Sequence, residues 1–482
     1  MQNNISPLNE PLQIKQQLVS ALELQRKDFL KAETESAQVR IKHLNSLKSL
    51  LRENKDQLIQ AINTDYGNRS YHETLIADYI SSLGDIDHSI KHLKSWMKPQ
   101  RRSVDLMLYF GAKNRVIPQP IGVVGVIVPW NFPINMVFTQ LSAIFSAGNR
   151  AIVKMSENSI ELSKLLQKLC ADYFPPEKLQ FFVETGGVGI EFSKLPFDHL
   201  MFTGSGATGR KVMAAAAENL TPVTLELGGK CPAIIDPDFP LQKAVKRILF
   251  VKQFNAGQIC TTVDYVYVHQ SQLSDFVEKA KSWAKKHIPD ITSKDYTSII
   301  DDRAYERLLT TLKDAKDKGA EIIELCNQET IAETRKVPLT LVLNTSEDMQ
   351  IRQRETFGPI LMVKTYHNAQ EVIEQVNDGD RPLAIYPFTN NKQLCAKYID
   401  RIMSGGVTVN DALFHVGQSD MPFGGVGASG MGHYHGHEGF LTFSKLRPVM
   451  YQASMPTSKY LAPPYSKGIA SKMFQLILKL KG

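Results

Sequence analysis

The sequence predicts an α/β protein with parallel sheets, organised in two or three domains. Three observations lead there. From Gly122 onward, short apolar runs alternate with segments of helical periodicity, the pattern of strands joined by crossover helices. One run, His199–Thr203, opens directly into the glycine-rich turn Gly204-Ser205-Gly206-Ala207-Thr208-Gly209, which precedes a helical segment. And 482 residues exceed what a single hydrophobic core ordinarily serves.

In chain order, residues 12–65 read as helical, with apolar residues three and four apart through Leu18, Leu22, Leu44, Leu47 and Leu51. Residues 73–97 continue the pattern and stop at Lys98-Pro99. Residues 101–120, where Arg101 and Arg102 precede alternating apolar residues and then Pro118 and Pro120, read as a hairpin or arm. Strands follow over residues 123–128, 151–154, 180–183 and 199–203, with a helix over 162–173 between them. A second α/β stretch runs from about Leu227 to Asn410, with a strand at 265–269 and a helix at 273–287. Residues 469–482 place Ile469, Met473, Phe474, Ile477 and Leu480 on one side of a helix, with Lys472 and Lys479 toward the other.

Composition excludes several classes. With 43% apolar and 22% charged residues the chain is an ordinary globular one, so disordered and collagen-like classes fall away. A net charge of +7, without Lys/Arg clusters interleaved with aromatics, gives no reason to expect nucleic acid. The five cysteines, at 170, 231, 260, 326 and 395, include no C-x-x-C pair; this predicts a reducing compartment, no zinc ribbon and no metal site. Met1–Pro11 is polar and lacks the apolar core of a signal peptide. No stretch reaches the ~18 apolar residues of a membrane span, and the expected location is the cytoplasm.

Candidate chemistry lies in a few short segments. Glycines at a strand-to-helix turn let the backbone approach a pyrophosphate at a helix N-terminus, although a tight turn needs no ligand. This turn comes late in its sheet, so ribose-reading residues must come from an earlier strand end; Lys154 and Glu157, in K-M-S-E after Ala151-Ile152-Val153, meet that need, or simply cap a segment beside Ser156. Cys260, in F-N-A-G-Q-I-C-T-T, sits among small and amide residues that would leave the sulfur accessible and offer N–H donors lowering its pKa; a buried inert cysteine is the alternative. Cys170, Cys326 and Cys395 are expected to be inert, whereas Cys231, after Gly228-Gly229-Lys230, stays open. Glu226, in L-E-L-G-G-K between Leu225 and Leu227, would be desolvated and made more basic, unless a cation pairs with it. Asn131, in P-W-N-F-P, is a rigid amide suited to an oxyanion, or a turn former. Glu355, in E-T-F-G-P, holds a ribose or caps a turn.

These segments together resemble the aldehyde dehydrogenase superfamily. The motifs P-W-N-F-P at 129–133, V-K-M-S-E at 153–157, F-T-G-S-G-A-T-G at 202–209, L-E-L-G-G-K at 225–230, G-Q-I-C at 257–260, E-T-F-G-P at 355–359 and P-F-G-G-V-G at 422–427 occur in family order. The chain looks most like the class 3 and coniferyl-aldehyde dehydrogenases, through Asp264-Tyr265-Val266, R-P-L-A-I-Y at 381–386 and G-A-S-G-M-G-H-Y-H-G at 427–436. It departs from the family at Met155, where Pro is usual, and at Thr261-Thr262-Val263 after the cysteine.

The resemblance implies a Rossmann-type cofactor domain, an α/β catalytic domain and a small β oligomerisation arm. In this sequence that places an NAD(P)-binding domain at 1–225 with arm strands near 101–120, a catalytic domain at 226–412, a return to the cofactor domain and an oligomerisation strand at 413–455, and a tail with an amphipathic helix at 456–482. It further implies Cys260 as nucleophile, Glu226 as general base, and Asn131 with the Cys260 backbone N–H as oxyanion donors. NAD or NADP would be held by Trp130, Lys154, Glu157, Gly204, Ser205, Gly209, Leu227 and Glu355, with Phe357 beside the nicotinamide. The expected reaction is oxidation of an aldehyde, aromatic and coniferyl-like or medium-chain aliphatic, to its acid through a hydrolysed thioester. Alternatives are transfer of the acyl group to coenzyme A, against which Glu226 argues, and a non-enzymatic structural role. A homodimer is expected, with at most weak, salt-sensitive contact between the C-terminal helix and a membrane surface.

Overall fold

The computed structural model describes residues 10–106, 108–326, 328–456, 463, 465 and 468–481. Residues 1–9 of the polar N-terminus and Pro464 lie outside these. The N-terminal helical region is three helices, Glu10–Lys31, Ala37–Glu53 and Lys55–Tyr66, rather than one. Its breaks have local causes: the Ser36 hydroxyl accepts from the Val39 N–H (3.4 Å) at the start of the second, and Gly67, at φ 77°, ends the third. Beyond the short helix Tyr71–Thr74, a π-helical turn, Leu75–Ile80, leads into the helix Ser81–Trp96.

The α/β character appears in two sheets. In the six-stranded sheet the order is Gly430–Met431, Val223–Glu226, His199–Thr203, Val123–Ile127, Arg150–Lys154, Leu179–Phe182; only the Gly430–Met431 edge runs antiparallel. Every residue of Val123–Ile127, Arg150–Lys154 and His199–Thr203 is buried, as strands covered on both faces must be. The seven-stranded sheet runs Glu321–Glu324, Thr340–Leu343, Ile360–Tyr366, Val263–His269, Cys231–Ile235, Ala384–Phe388, Gly406–Val407, parallel except at its Glu321–Glu324 edge. The hairpin of Gln100–Arg102 with Lys113–Pro120 gains a third antiparallel strand from the far end of the chain, Ser444–Tyr451, in register from Ser444–Pro120 to Tyr451–Lys113. Leu446, Met450 and Tyr451 on that strand are exposed.

The tail forms the helix Ile469–Lys481. Ala470 is buried and Met473 and Ile477 are half-buried, while Ile469, Phe474, Leu476, Leu478 and Leu480 are exposed. The side drawn from the sequence is therefore only partly covered by the chain itself. No helix among the described residues is long and apolar enough to cross a membrane.

Candidate active site

The site forms where parallel strands of the six-stranded sheet end, the usual ligand edge of such sheets. Val123–Ile127 runs into Pro129-Trp130-Asn131, and Pro133 starts the next helix. The Asn131 carbonyl accepts from Arg69 Nη1 (2.6 Å), the Tyr66 hydroxyl (3.2 Å) and Asn255 Nδ2 (3.3 Å). Its buried side-chain Nδ2 donates to the Gln258 carbonyl (3.3 Å), which occupies one amide hydrogen and leaves the other. Arg69 is itself paired with the buried Asp78 of the π-helical turn (3.3 Å), and Asp78 Oδ1 accepts the Ile134 and Asn135 N–H groups (3.1 Å each) at the start of the helix after Asn131. This clamp had no sequence signal, because Arg69 stands in the short link after Gly67 and Asp78 in an ordinary helical stretch.

Cys260 follows a turn in which Asn255, Ala256 and Gly257 have φ of 52°, 50° and 71°. Glycine is needed at 257, since a Cβ there would strike the Gly358 carbonyl. The Gln258 carboxamide locks the loop, donating to the Asn255 and Ser298 carbonyls and accepting from the Ile300 N–H, each at 3.0 Å. Cys260 is half-buried, and burial, then the charges of Glu355 and Glu226, push its thiol up to about 12. The expectation of a lowered pKa is corrected: burial, with the Glu355 and Glu226 carboxyls, outweighs the backbone N–H donors of Cys260 and Thr261. Cys231 is fully buried, its thiol pushed up by burial, and Cys170 and Cys326 are buried too.

Glu226 ends its strand, opposite Thr203 on one side and Gly430 on the other. It is 2% exposed, neither carboxylate oxygen has a hydrogen-bond partner among the described residues, and burial raises its pKa well above the ordinary carboxylate range. The paired-cation alternative is therefore removed. Glu355 Oε1 accepts the Gly229 N–H (2.7 Å); burial and the Asp264 charge push this carboxyl up to about 7.

A cavity of about 330 Å³ brings together Trp130, Asn131, Gly204, Ser205, Glu226, Leu227, Cys260, Glu355 and Phe357. Phe357 has φ 44° and stands edge-on to Trp130 (ring centroids 5.6 Å apart). Arg307, missed in the sequence, fixes it by donating to the Thr356 (2.8 Å) and Phe357 (3.5 Å) carbonyls. Ser205 caps the helix Gly206–Ala217, accepting from the Thr208 N–H (3.3 Å), and a Cβ on Gly209 would lie 2.7 Å from Leu227 Cδ2. The third glycine thus allows close helix–strand packing, its role in dinucleotide turns. Gly206 and Arg210 line an adjoining groove of about 760 Å³ that shares Gly228, Arg354 and Glu355 with the cavity.

Lys154 and Glu157 line neither space. Lys154 is buried and paired with Glu184 (2.7 Å), with Glu157 at 3.9 Å; the Glu184 carboxylate is held by the N–H groups of Gly186, Val188 and Gly189 (2.9, 3.0 and 2.9 Å). Glu157 is exposed and accepts from the Ser156 hydroxyl (3.3 Å). Glu184 escaped notice because it precedes Thr185-Gly186-Gly187, which reads as a plain loop.

A second cavity, of about 210 Å³, meets the first at Met136 and Cys260. Its walls are apolar and rich in phenylalanine: Phe132, Phe250, Phe254, Phe414 and Phe423. A thiol shared between a polar space at strand ends and a greasy one is suited to an enzyme that presents an organic substrate to a nucleophile beside a nucleotide.

Comparison with known proteins agrees. Residues 10–449 match the aldehyde dehydrogenase family, and the chain belongs to that family. It is 44% identical to a probable coniferyl aldehyde dehydrogenase of Pseudomonas aeruginosa, over 97% of this chain and 98% of that one. It is 41% identical to a coniferyl aldehyde dehydrogenase of a Pseudomonas species, over 94% and 95%. The structure superposes on substrate-bound AldH of Staphylococcus aureus with a TM-score of 0.89 at 31% identity, covering 96% of this chain and 99% of that one. The protein is an NAD(P)-dependent enzyme that oxidises an aldehyde to the carboxylic acid.

Proposed function

We propose that the chain oxidises aromatic aldehydes of the hydroxycinnamaldehyde type through a thioester on Cys260, hydrolysed by water that Glu226 activates. The observation that carries this is the partnerless Glu226 carboxylate lining the same cavity as the Cys260 sulfur. Cys260 Sγ loses its proton to solvent by way of the Glu226 carboxylate and forms the bond to the aldehyde carbon, and Asn131 Nδ2 with the Cys260 N–H donates to its oxygen. Bound NAD(P)⁺ supplies the acceptor for the aldehyde's hydride. Glu226, more basic for its burial, takes the proton of the water that releases the acid and restores the thiol. The cofactor is assigned to the Gly204–Gly209 turn, Trp130, Leu227, Glu355 and Phe357, with Lys154 and Glu157 at its ribose. The aromatic substrate rests on the phenylalanine-lined cavity and on the names of the coniferyl relatives.

We assign residues 1–225 to the cofactor domain, 226–412 to the catalytic domain and 413–455 to the return, with the exposed Ser444–Tyr451 strand as the homodimer contact. The five free cysteines favour the cytoplasm, and the exposed apolar residues with Lys472 and Lys479 favour weak contact of the tail with an anionic surface. The test is NADH or NADPH formation with cinnamaldehydes and medium-chain aldehydes, with NAD⁺ and NADP⁺ respectively, with and without coenzyme A. Turnover of the cinnamaldehydes independent of coenzyme A is expected; acyl transfer to coenzyme A would contradict the assignment of Glu226.

A further inference from the structure

The apolar cavity holds a buried imidazole left without a partner. Apart from the Cys260 thiol, the polar side chains on its wall come from Ser81, Asp85, Asn135, Thr261, Tyr434 and His435, and the Tyr434 hydroxyl donates to Met136 Sδ (3.4 Å). Ser81 and Asn135 occupy each other, Asn135 Nδ2 donating to Ser81 Oγ (2.9 Å) and also to Thr139 Oγ1 (3.3 Å). Asp85 Oδ2 accepts the Thr139 hydroxyl (2.6 Å). His435 is 6% exposed, and neither ring nitrogen has a hydrogen-bond partner among the described residues. A buried imidazole with both nitrogens unmatched is costly and rare, and calls for a reason. The backbone is held at φ 83°, and the ring packs between Phe423 (centroids 5.6 Å, nearly parallel) and Tyr434 (4.6 Å, edge-on), which fixes its plane and satisfies neither nitrogen. The ring is thus fixed on the wall of the space that also reaches Cys260. A neutral imidazole has one donor and one acceptor to offer.

We propose that His435 is the substrate-specificity residue of this cavity and accepts a hydrogen bond from the phenolic hydroxyl of an aromatic aldehyde whose carbonyl is at Cys260. Phenylalanine walls take the ring of such a substrate, and the imidazole takes its one hydroxyl. This rests on the aromatic-aldehyde reading above, and wild-type turnover of plain cinnamaldehyde checks that reading separately from the hydroxyl contact.

The experiment compares 4-hydroxycinnamaldehyde with cinnamaldehyde in steady-state assays of the full chain. Wild type should favour the hydroxylated substrate in kcat/KM, chiefly through KM. His435→Phe should lower that ratio about tenfold, the weight of one good hydrogen bond, and His435→Asn should restore part of it. A comparison of 4-hydroxycinnamaldehyde with 4-methoxycinnamaldehyde in wild type, which removes only the donated hydrogen, should show about a tenfold preference for the hydroxylated substrate and keeps the proposal testable if the His435 variants misfold. An unchanged ratio in the variants, or equal losses with both substrates, overturns the proposal.

Discussion

The polar cavity draws its lining from the ends of successive parallel strands: Trp130 and Asn131 after Val123–Ile127, Gly204 and Ser205 after His199–Thr203, Glu226 and Leu227 at the end of Val223–Glu226. The apolar cavity is assembled from the π-helical turn at Ile76 and Ala77, helix residues such as Asp85 and Met136, and loops as far away as His435. Where strand ends converge, each contributing segment must combine small residues, prolines and a polar group within a few positions, and these combinations are visible as motifs. Where helices and loops meet side-on, each gives one side chain at ordinary spacing, and nothing local marks it. The chemistry of the first cavity is therefore fixed by short segments, and the substrate preference of the second by tertiary packing.

Substitutions can break this division. The largest effect belongs to the thiol at the junction. Cys260→Ala should lower turnover by about 10⁴-fold or more while dinucleotide affinity, measured by fluorescence titration, is retained. Appreciable NADH formation by that variant would remove the nucleophile from Cys260. Next comes Glu226→Gln, for which steady-state turnover should fall about 10²–10⁴-fold, after a first-turnover burst of NADH; near-wild-type turnover would make Glu226 a structural carboxylate. Asn131→Ala should cost about 10²–10³-fold in kcat with little change in NAD⁺ binding. A variant that keeps kcat and loses cofactor affinity would move Asn131 out of the oxyanion site.

The smallest effect is on stability. Glu226 has its pKa raised on folding, so the folded state holds that proton more tightly than the unfolded chain. Its contribution to stability is full below the ordinary carboxylate pKa and declines as pH rises above it. Glu226→Gln should therefore gain thermal midpoint over wild type by a few degrees between about pH 5 and pH 8. Parallel melting curves over that range would show instead that Glu226 ionises freely.

The fold class was legible because strand-like runs alternating with helical segments admit few arrangements, and the structure has both parallel sheets. Asn131, Glu226 and Cys260 were legible as candidates from their immediate neighbours, and the structure sets them around one space. What was hidden depends on partners far along the chain. Arg69 reaches the Asn131 carbonyl across 62 residues, and Gln258 reaches Ser298 and Ile300 across 40 and 42. The raised thiol of Cys260 was misjudged for the same reason, since its burial is a product of tertiary packing and Glu355, 95 positions later, adds a carboxyl beside it. Lys154 was legible as a strand-end cation, but its partner Glu184 comes from the next strand's loop.

The proposed mechanism places a covalent acyl group on Cys260 at the meeting of the two cavities. Its most direct test is mass spectrometry of Glu226→Gln, quenched within the first turnover with cinnamaldehyde and NAD⁺, followed by peptide mapping. A cinnamoyl adduct is expected on the peptide bearing Cys260, absent when NAD⁺ is omitted. An adduct on Cys231, or an unmodified protein despite NADH formation, would contradict it.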